Sequence, residues 1–365
     1  MVVTRRRGVE RRLGRSLPHG MGETGGTGAT QRPPRQSGRG RSRAIRRLAT
    51  PQAMILNMTT EQPAWPHEHI ALDAASRWVA TACGREVDSP EILQVKRWGV
   101  TARFGSVVLK ASFTPLFPQV IKVHALLERI VPEGAPRLIA SEMVGGQLWT
   151  LFEHVQGATA EEVGTPGALE ATAHELGRVQ AAVAKLDLTR VPVFDVLEVP
   201  GALLEDDLSD QPTELVEWLR DAQPALQLDA RALADVRPSL DHPDVNGSNA
   251  IMRDNGRAIL LDWEEATVGC PLFSLDRLLA DAHQLSAVET VRDAYLNTLR
   301  AGGAEQVEHA MRLVPLKLAR EFRAYARGLG WPNPHTRLTT LLLELARRRS
   351  THGYLNAWLS DLLAP

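Results

Sequence analysis

Residues 240–273 read LDHPDVNGSNAIMRDNGRAILLDWEEATVGCPLF and carry the densest chemistry in the chain. His242, Asp244 and Asn249 fall in a stretch rich in Pro, Gly, Asn and Ser, which makes it a loop. Residues 250–252 form a short apolar strand, and 257–261 return as a second one. Asn255-Gly256 between them is a type I′ hairpin signal. Asp262 ends the returning strand, so the hairpin folds it back towards the loop that holds Asp244 and Asn249. Two carboxylates and one amide converge there with no cysteine and no second histidine nearby. Hard oxygen donors of this kind suit Mg²⁺ with phosphate rather than zinc.

The spacing adds specificity. Asp244 and Asn249 are five residues apart, the spacing of the kinase catalytic loop, and a later aspartate at a strand end is the kinase's second metal ligand. LDHPDVNGSNAIM, LLDWEEATVGCPLF and SLDRLL together resemble the H-G-D-x-x-x-x-N … (I/L)-D-W pattern of the aminoglycoside phosphotransferase and choline kinase-like enzymes. The resemblance implies an α+β, bilobal, protein-kinase-like fold. Its N-lobe would be a small antiparallel sheet with a helix, and its larger C-lobe helical. It implies ATP and Mg²⁺ as cofactors and a small-molecule hydroxyl as acceptor. Asp244 then resembles the catalytic aspartate that takes or orients the hydroxyl proton. Asn249 and Asp262 resemble the Mg²⁺ ligands, and His242 a structural histidine of the loop. Lys110, in the apolar run VVLKAS, resembles the lysine that holds the α- and β-phosphates. Glu153 to Val155 resemble the hinge, where the Glu153 carbonyl and the Val155 N–H would meet adenine. Trp98-Gly99-Val100-Thr101 takes the place of the phosphate-covering turn.

Four positions depart from the family pattern. Pro243 replaces a glycine, fixing φ and removing an N–H. Ser274 stands where the family has a structural aspartate, with Asp276 two residues on. Val120 stands where a helix glutamate would pair with the lysine; Glu128 is eight residues further, about 12 Å along a helix. Lys110 is therefore expected to be held by the nucleotide alone. Glu265 adds a carboxylate beside Asp262, expected to be exposed. The alternative reading is a catalytically weak or silent nucleotide-binding protein. A metallophosphoesterase built on His242 and Asp244 would need several further histidines, which the sequence lacks.

Outward from this stretch, the organisation is uneven. Residues 1–57 hold many Arg, Gly, Ser and Thr and almost no periodic apolar residues, so they read as a disordered basic arm. No aromatics interleave its arginines, which makes a solvated tail, or sequence upstream of a start at Met54 or Met58, a better reading than a nucleic-acid arm. Residues 58–155 read as the nucleotide-binding lobe. In it 69–84 has helical spacing, 92–98 and 104–111 alternate as strands, 116–130 is a helix, and 137–141 and 147–153 are strands. Residues 156–365 read as the helical lobe, with helices at 166–183, 213–221, 229–237, after a Ser286/Glu289 capping box, and over 304–328 and 336–362.

Charge and composition exclude other classes. The first fifty residues carry +11, residues 51–150 are neutral, and the remainder carries −12. That acidic balance favours a cationic acceptor such as an aminoglycoside or an amino alcohol. No apolar run approaches the ~18 residues that span a bilayer. Two cysteines, Cys83 and Cys270, make no disulfide scaffold and no thiolate zinc site. The expected setting is the cytoplasm, without a membrane or nucleic-acid partner.

Overall fold

The fold was analysed in a computed structural model, which describes residues 72–96, 99–113, 119–186, 193–329 and 334–351. The expected basic arm, Trp98 and the part of the helix expected over 336–362 that follows residue 351 lie outside the described residues.

Helix α1 (Leu72–Cys83) leads into five strands: β1 (Glu91–Lys96), β2 (Gly99–Phe104), β3 (Val107–Phe113), β4 (Leu138–Val144) and β5 (Gln147–Glu153). They form one antiparallel sheet in the order β1-β2-β3-β5-β4. The sequence reading missed β2 as a separate strand. Gly99 opens β2 instead of marking a turn, and a Cβ there would come within 2.4 Å of the Ala111 carbonyl oxygen. The turn falls instead at Gly105, whose φ of 61° needs glycine. Alternation places Val100, Ala102, Phe104, Leu109, Ala111, Trp149 and Leu151 in one buried layer against Ala75 and Val79 of α1. Helix α2 (Val120–Ile130) lies between β3 and β4 in the chain and buries Val120 with Leu148 and Phe152.

Past β5 the chain is mainly helical. After the short α3 (Ala160–Val163), α4 (Pro166–Val183) starts as the sequence predicts: Thr165 caps it, its hydroxyl accepting the Ala168 N–H, with Pro166 at the first position. A four-residue helix, α5, covers Val199–Ala202. Helix α6 (Thr213–Ala232) is continuous through Pro224, where the sequence suggested two helices. Its face with Leu215, Leu219 and Leu226 is buried, and that packing outweighs the missing hydrogen bond. Three short strands, β6 (Ser239–Asp241), β7 (Ala250–Met252) and β8 (Ala258–Leu260), surround the loop of interest, followed by β9 (Thr267–Gly269), which pairs with β6. Helices α7 (Leu275–Gln284), α8 (Val288–Leu299), α9 (Ala304–Leu329) and α10 (Pro334–Thr351) complete the described chain. Ser286 does not cap α8; it adopts φ 54°, and Ala287 is the cap residue without a side-chain bond. The helical part and the β6–β9 strands share one continuous apolar core. Both cysteines are free, Cys270 buried and Cys83 half-buried.

Candidate active site

The β7–β8 hairpin is the element that assembles the site. Ala250 pairs with Leu260 and Met252 with Ala258. The turn is not the two-residue type I′ form expected from Asn255-Gly256. The Gly256 N–H reaches the Arg253 carbonyl at 2.9 Å, and only Gly256 has positive φ, at 77°. Asn255 keeps ordinary φ, so the loop is longer, with the glycine as its left-handed residue. The hairpin still returns the chain as predicted: the Leu261 N–H donates to the Asn249 carbonyl at 2.8 Å. Asn249 and Asp262 are thereby tied to one hairpin end.

Asp244 is ringed by donors. Asn249 Nδ2 donates to its carboxylate Oδ2 at 3.0 Å and to its backbone carbonyl at 2.9 Å. Asn246 Nδ2 donates to Oδ1 at 3.1 Å, and Arg277 forms an ion pair with the same oxygen. With its amide nitrogen committed to Asp244, Asn249 keeps its amide oxygen for another partner. Among the described residues no donor meets that oxygen.

His242 anchors the loop from below. It is fully buried, its ring 4.5 Å from that of the buried Trp263. Its Nε2 donates to the Leu261 carbonyl at 2.7 Å, and its Nδ1 accepts the Asp244 N–H at 3.3 Å. A carbonyl only accepts and an amide N–H only donates, so the imidazole is neutral with its proton on Nε2. Burial pushes its pKa below the usual histidine value, against the pull of the Leu261 carbonyl and of the nearby aspartates.

Ser274 answers the departure from the family's aspartate. Its hydroxyl accepts the His242 N–H at 2.8 Å and donates to Asp241 Oδ1 at 2.9 Å. Asp241 Oδ2 meets Lys317 at 2.8 Å, both side chains almost fully buried. A serine and a displaced carboxylate thus replace one longer acid. Asp276 is elsewhere, ion-paired with Arg348 at 2.7 Å. Pro243 has no N–H to give, and the loop hangs instead on the N–H groups of its neighbours His242 and Asp244.

Asp262 adopts φ 57° and ψ 45°, a left-handed conformation that costs a non-glycine residue roughly 1–2 kcal/mol. It forms an ion pair with Lys110. The sequence missed the second partner of that lysine. Glu264 Oε1 lies 2.8 Å from Lys110 Nζ, so the lysine is not left to a nucleotide alone. The acid comes from the turn after Asp262, and Gln119 Nε2 holds that turn by donating to the Glu264 carbonyl at 3.1 Å. Glu128 is exposed, as its distance along the helix implied. Burial alone would lower the Lys110 pKa, but Asp262 and Glu264 outweigh it and hold it above the usual lysine value. Burial would raise Asp262, and Lys110 outweighs it in the other direction. Glu264 stays raised, because burial and the charge of Asp262 exceed the help from Lys110. Lys96, at the end of β1, adds positive potential at both carboxylates. It precedes the connection from β1 to β2. Gly99 to Thr101, assigned from sequence to the phosphate-covering turn, belong to β2 itself.

Glu265 also differs from expectation. It is half-buried, not exposed, and its pKa is pushed up to about 7 by burial and by the charges of Asp244 and Glu321, with Arg277 opposing. At the end of β5, where the sequence reading expects the hinge, the Glu153 N–H donates to the Arg137 carbonyl and the His154 N–H to the Ser106 carbonyl. The Val155 N–H has no partner among the described residues. Gly157 follows at φ 144°, and a Cβ there would lie 2.4 Å from the Met252 carbonyl oxygen, so glycine lets this strap run against β7.

Asn249 and Asp262 offer one amide oxygen and one carboxylate. No group of three His, Cys, Asp or Glu residues suited to a metal gathers among the described residues. That pair fits Mg²⁺, which takes one or two protein ligands and completes its shell with phosphate and water. It does not fit a metal needing a full protein cage.

A model of the phosphotransferase enzyme family matches residues 84–327. The chain belongs to that family. Its fold is that of solved family structures. A thermostable mutant of an aminoglycoside phosphotransferase, in a ternary complex with ADP and hygromycin B, is 16% identical with a TM-score of 0.54, covering 77% of this chain and 99% of that one. Choline kinase LicA from Streptococcus pneumoniae is 15% identical with a TM-score of 0.56, covering 75% and 98%. Macrolide 2′-phosphotransferase from Brachybacterium faecium is 17% identical with a TM-score of 0.51, covering 74% and 97%. No curated protein sequence shows significant similarity to the chain. Family membership makes this chain a phosphotransferase. Among the described residues no helix is long and apolar enough to cross a membrane.

Proposed function

We propose that the chain moves the γ-phosphoryl group of ATP to a hydroxyl of a small molecule. The observation that carries this reading is the hydrogen-bonded pair of Asp244 and Asn249, joined through one hairpin to Asp262 and its ion pair with Lys110. In this reading residues 58–155 hold the nucleotide, and 156–365 hold the catalytic loop and the acceptor. The Glu153 carbonyl and the free Val155 N–H meet the adenine edge. Lys110, already charged and partly open to solvent, exchanges its carboxylate contacts for the α- and β-phosphates. Asn249 and Asp262 would hold Mg²⁺, which supplies charge neutralisation for the transferring phosphoryl group.

Asp244 is the group that takes the acceptor hydroxyl proton. Its Oδ2 is fixed by Asn249, and its Oδ1 faces Arg277 and Asn246. An incoming hydroxyl displaces a donor at Oδ1 and gives its proton to that oxygen as the phosphoryl group arrives. His242 stays neutral and serves as an anchor; both of its nitrogens are already used inside the loop. Because the transition state is loose, positioning and electrostatics supply most of the acceleration.

The test is Asp244→Asn. It keeps the shape and the Asn249 contact but removes the proton acceptor. Steady-state transfer should fall by about 10²–10⁴-fold, the usual worth of a general base. ATP·Mg²⁺ affinity by calorimetry should hold. Transfer at the wild-type rate would end the assignment.

A further inference from the structure

The two carboxylate oxygens of Asp244 are held in different ways. Oδ2 is held from within the loop by Asn249 Nδ2, which also donates to the Asp244 carbonyl. Oδ1 has two donors, Asn246 and Arg277. Asn246 is locked in place. Its amide oxygen accepts the Ser248 and Asn249 N–H groups at 2.9 and 3.1 Å and the Ser248 hydroxyl at 2.6 Å, so it caps the short 3₁₀ turn Gly247–Asn249. Turning Asn246 away from Asp244 breaks that cap. Arg277 is free of such ties. Its ion pair with Asp244 is its one hydrogen-bonded contact among the described residues, and its other N–H groups have no protein acceptor there.

The backbone of Arg277 is fixed all the same. It lies in the first turn of α7, and α7 is tied to the loop on both sides of it. Ser274 accepts the His242 N–H at 2.8 Å, and Asp281 Oδ2 accepts the Gly247 N–H at 2.7 Å. Asp276, the preceding residue, pairs with the buried Arg348 at 2.7 Å. Arg277 is thus a movable side chain on a fixed base, laid over the oxygen that the proposed transfer needs.

The pair is open to solvent, with 26% of the Arg277 side chain and 29% of the Asp244 side chain exposed. Bulk water therefore reaches the proposed base. An ionised carboxylate beside a bound γ-phosphate takes a proton from water as well as from an alcohol, and water is in vast excess. A guanidinium on Oδ1 occupies the lone pair that water would use. Water offers one neutral hydrogen bond in exchange for a charge-assisted one. A bound acceptor makes further contacts along its surface, and that binding energy offsets the displacement of Arg277.

We infer that Arg277 guards the base: it covers Asp244 Oδ1 until the acceptor is seated, and so selects an alcohol over water as the phosphoryl acceptor. The inference rests on the phosphotransferase reading and adds a specificity-determining residue to it. In the unguarded reaction the water oxygen bonds to the γ-phosphorus. The bond from that phosphorus to the β–γ bridging oxygen breaks, its electron pair leaving with ADP, and one water proton passes to Asp244 Oδ1. The products are ADP and inorganic phosphate. Arg277 acts through Asp244 and is a positioning residue.

The test is acceptor-free hydrolysis of ATP·Mg²⁺ by the full chain, read as inorganic phosphate. Arg277→Met should hydrolyse ATP about tenfold faster than wild type, the lower end of what a charge-assisted hydrogen bond is worth. Arg277→Gln should show the same rise and takes its place if the Met variant does not fold. Arg277→Lys should restore most of the restraint, because it returns a cation to Oδ1. Adding Asp244→Asn to Arg277→Met should abolish the gain. A gain is a readout that lost packing or lowered stability does not produce. Unchanged or slower hydrolysis in Arg277→Met overturns the inference; in the slower case Arg277 serves the transferring phosphoryl group itself. A gain that survives Asp244→Asn overturns it as well, since the water is then activated elsewhere. Carbodiimide labelling of Asp244, mapped by mass spectrometry, reads the guard without nucleotide. It should rise in Arg277→Met and fall back in Arg277→Lys, and equal labelling in all three proteins overturns the guard. Wild-type calorimetry keeps the two readings apart. No binding of ATP·Mg²⁺ ends the phosphotransferase reading, whereas binding without faster hydrolysis in Arg277→Met ends this inference alone.

Discussion

Two of the five lysines sit in the same chemical arrangement, each between two carboxylates, and they do different things. Lys110 lies between Asp262 and Glu264 with 17% of its side chain exposed. Lys317 lies between Asp241 and Glu321 with 1% exposed. Burial opposes the charge on both, and in both the paired acids prevail and hold the lysine protonated. The difference is access. A sealed triad cannot exchange partners, so Lys317 fixes the strand that leads into the Asp244 loop. A triad with an open side can trade a carboxylate for a phosphate, which is the role proposed for Lys110. Charge pattern alone does not separate a brace from a binding group; solvent access does.

The sharpest way to break this contrast is to remove the cation from each triad. Lys317→Met should cost about 3–5 kcal/mol in urea unfolding, because it strands Asp241 and Glu321 in the interior. A loss below about 1 kcal/mol, the range of an exposed pair, would show that this triad is no brace. Lys110→Met should leave the urea midpoint close to wild type and weaken ATP·Mg²⁺ about tenfold or more, read by calorimetry. If Lys110→Met unfolds the protein while Lys317→Met does not, the assignments are reversed.

A third variant sharpens the electrostatics between the two triads. Glu265 in the folded protein titrates at about 7 against an ordinary 4.5, so the folded state holds its proton more tightly than the unfolded chain. That contribution is complete below pH 4.5 and is lost as pH rises through about 7. Glu265→Gln should therefore match wild type in acid and exceed it by about 1–2 kcal/mol at about pH 8, a figure reduced for the half-open position. Stability curves that stay parallel across that range would show that Glu265 carries no such shift. The smallest effect belongs to Glu128. Exposed and away from Lys110, Glu128→Ala should change stability by less than about 0.5 kcal/mol and leave turnover unchanged. Damage comparable to Lys110→Met would mean that the helix, not the turn at Glu264, supplies the lysine's partner.

Much of the site was legible in the sequence because its parts lie close together in the chain. Asp244, Asn249 and Asp262 fall within nineteen residues, and local rules give the loop, the two strands and the return. The same rules misread the details that neighbours decide. Asn255-Gly256 signals a turn, but its type depends on how the strands pair. Gly99 looks like a turn residue, yet it is glycine because β3 crosses too closely for a side chain. The sequence reads two helices at 213–221 and 229–237, and the packing of α6 carries one helix through Pro224 between them.

Long-range pairings were decided by tertiary structure alone. The sequence by itself determined the family and the three oxygen-bearing residues of the loop and hairpin, since each depends on spacing within a short segment. It did not determine that Glu264 replaces a helix glutamate 144 residues earlier in the chain, at Val120. Nor did it show that Ser274 and Asp241 share the work of one aspartate, or that Lys317 closes that network. Each of these depends on which side chains the folded core brings within a few ångströms and shields from water. A charge's worth is set by that shielding, and residue order does not record it.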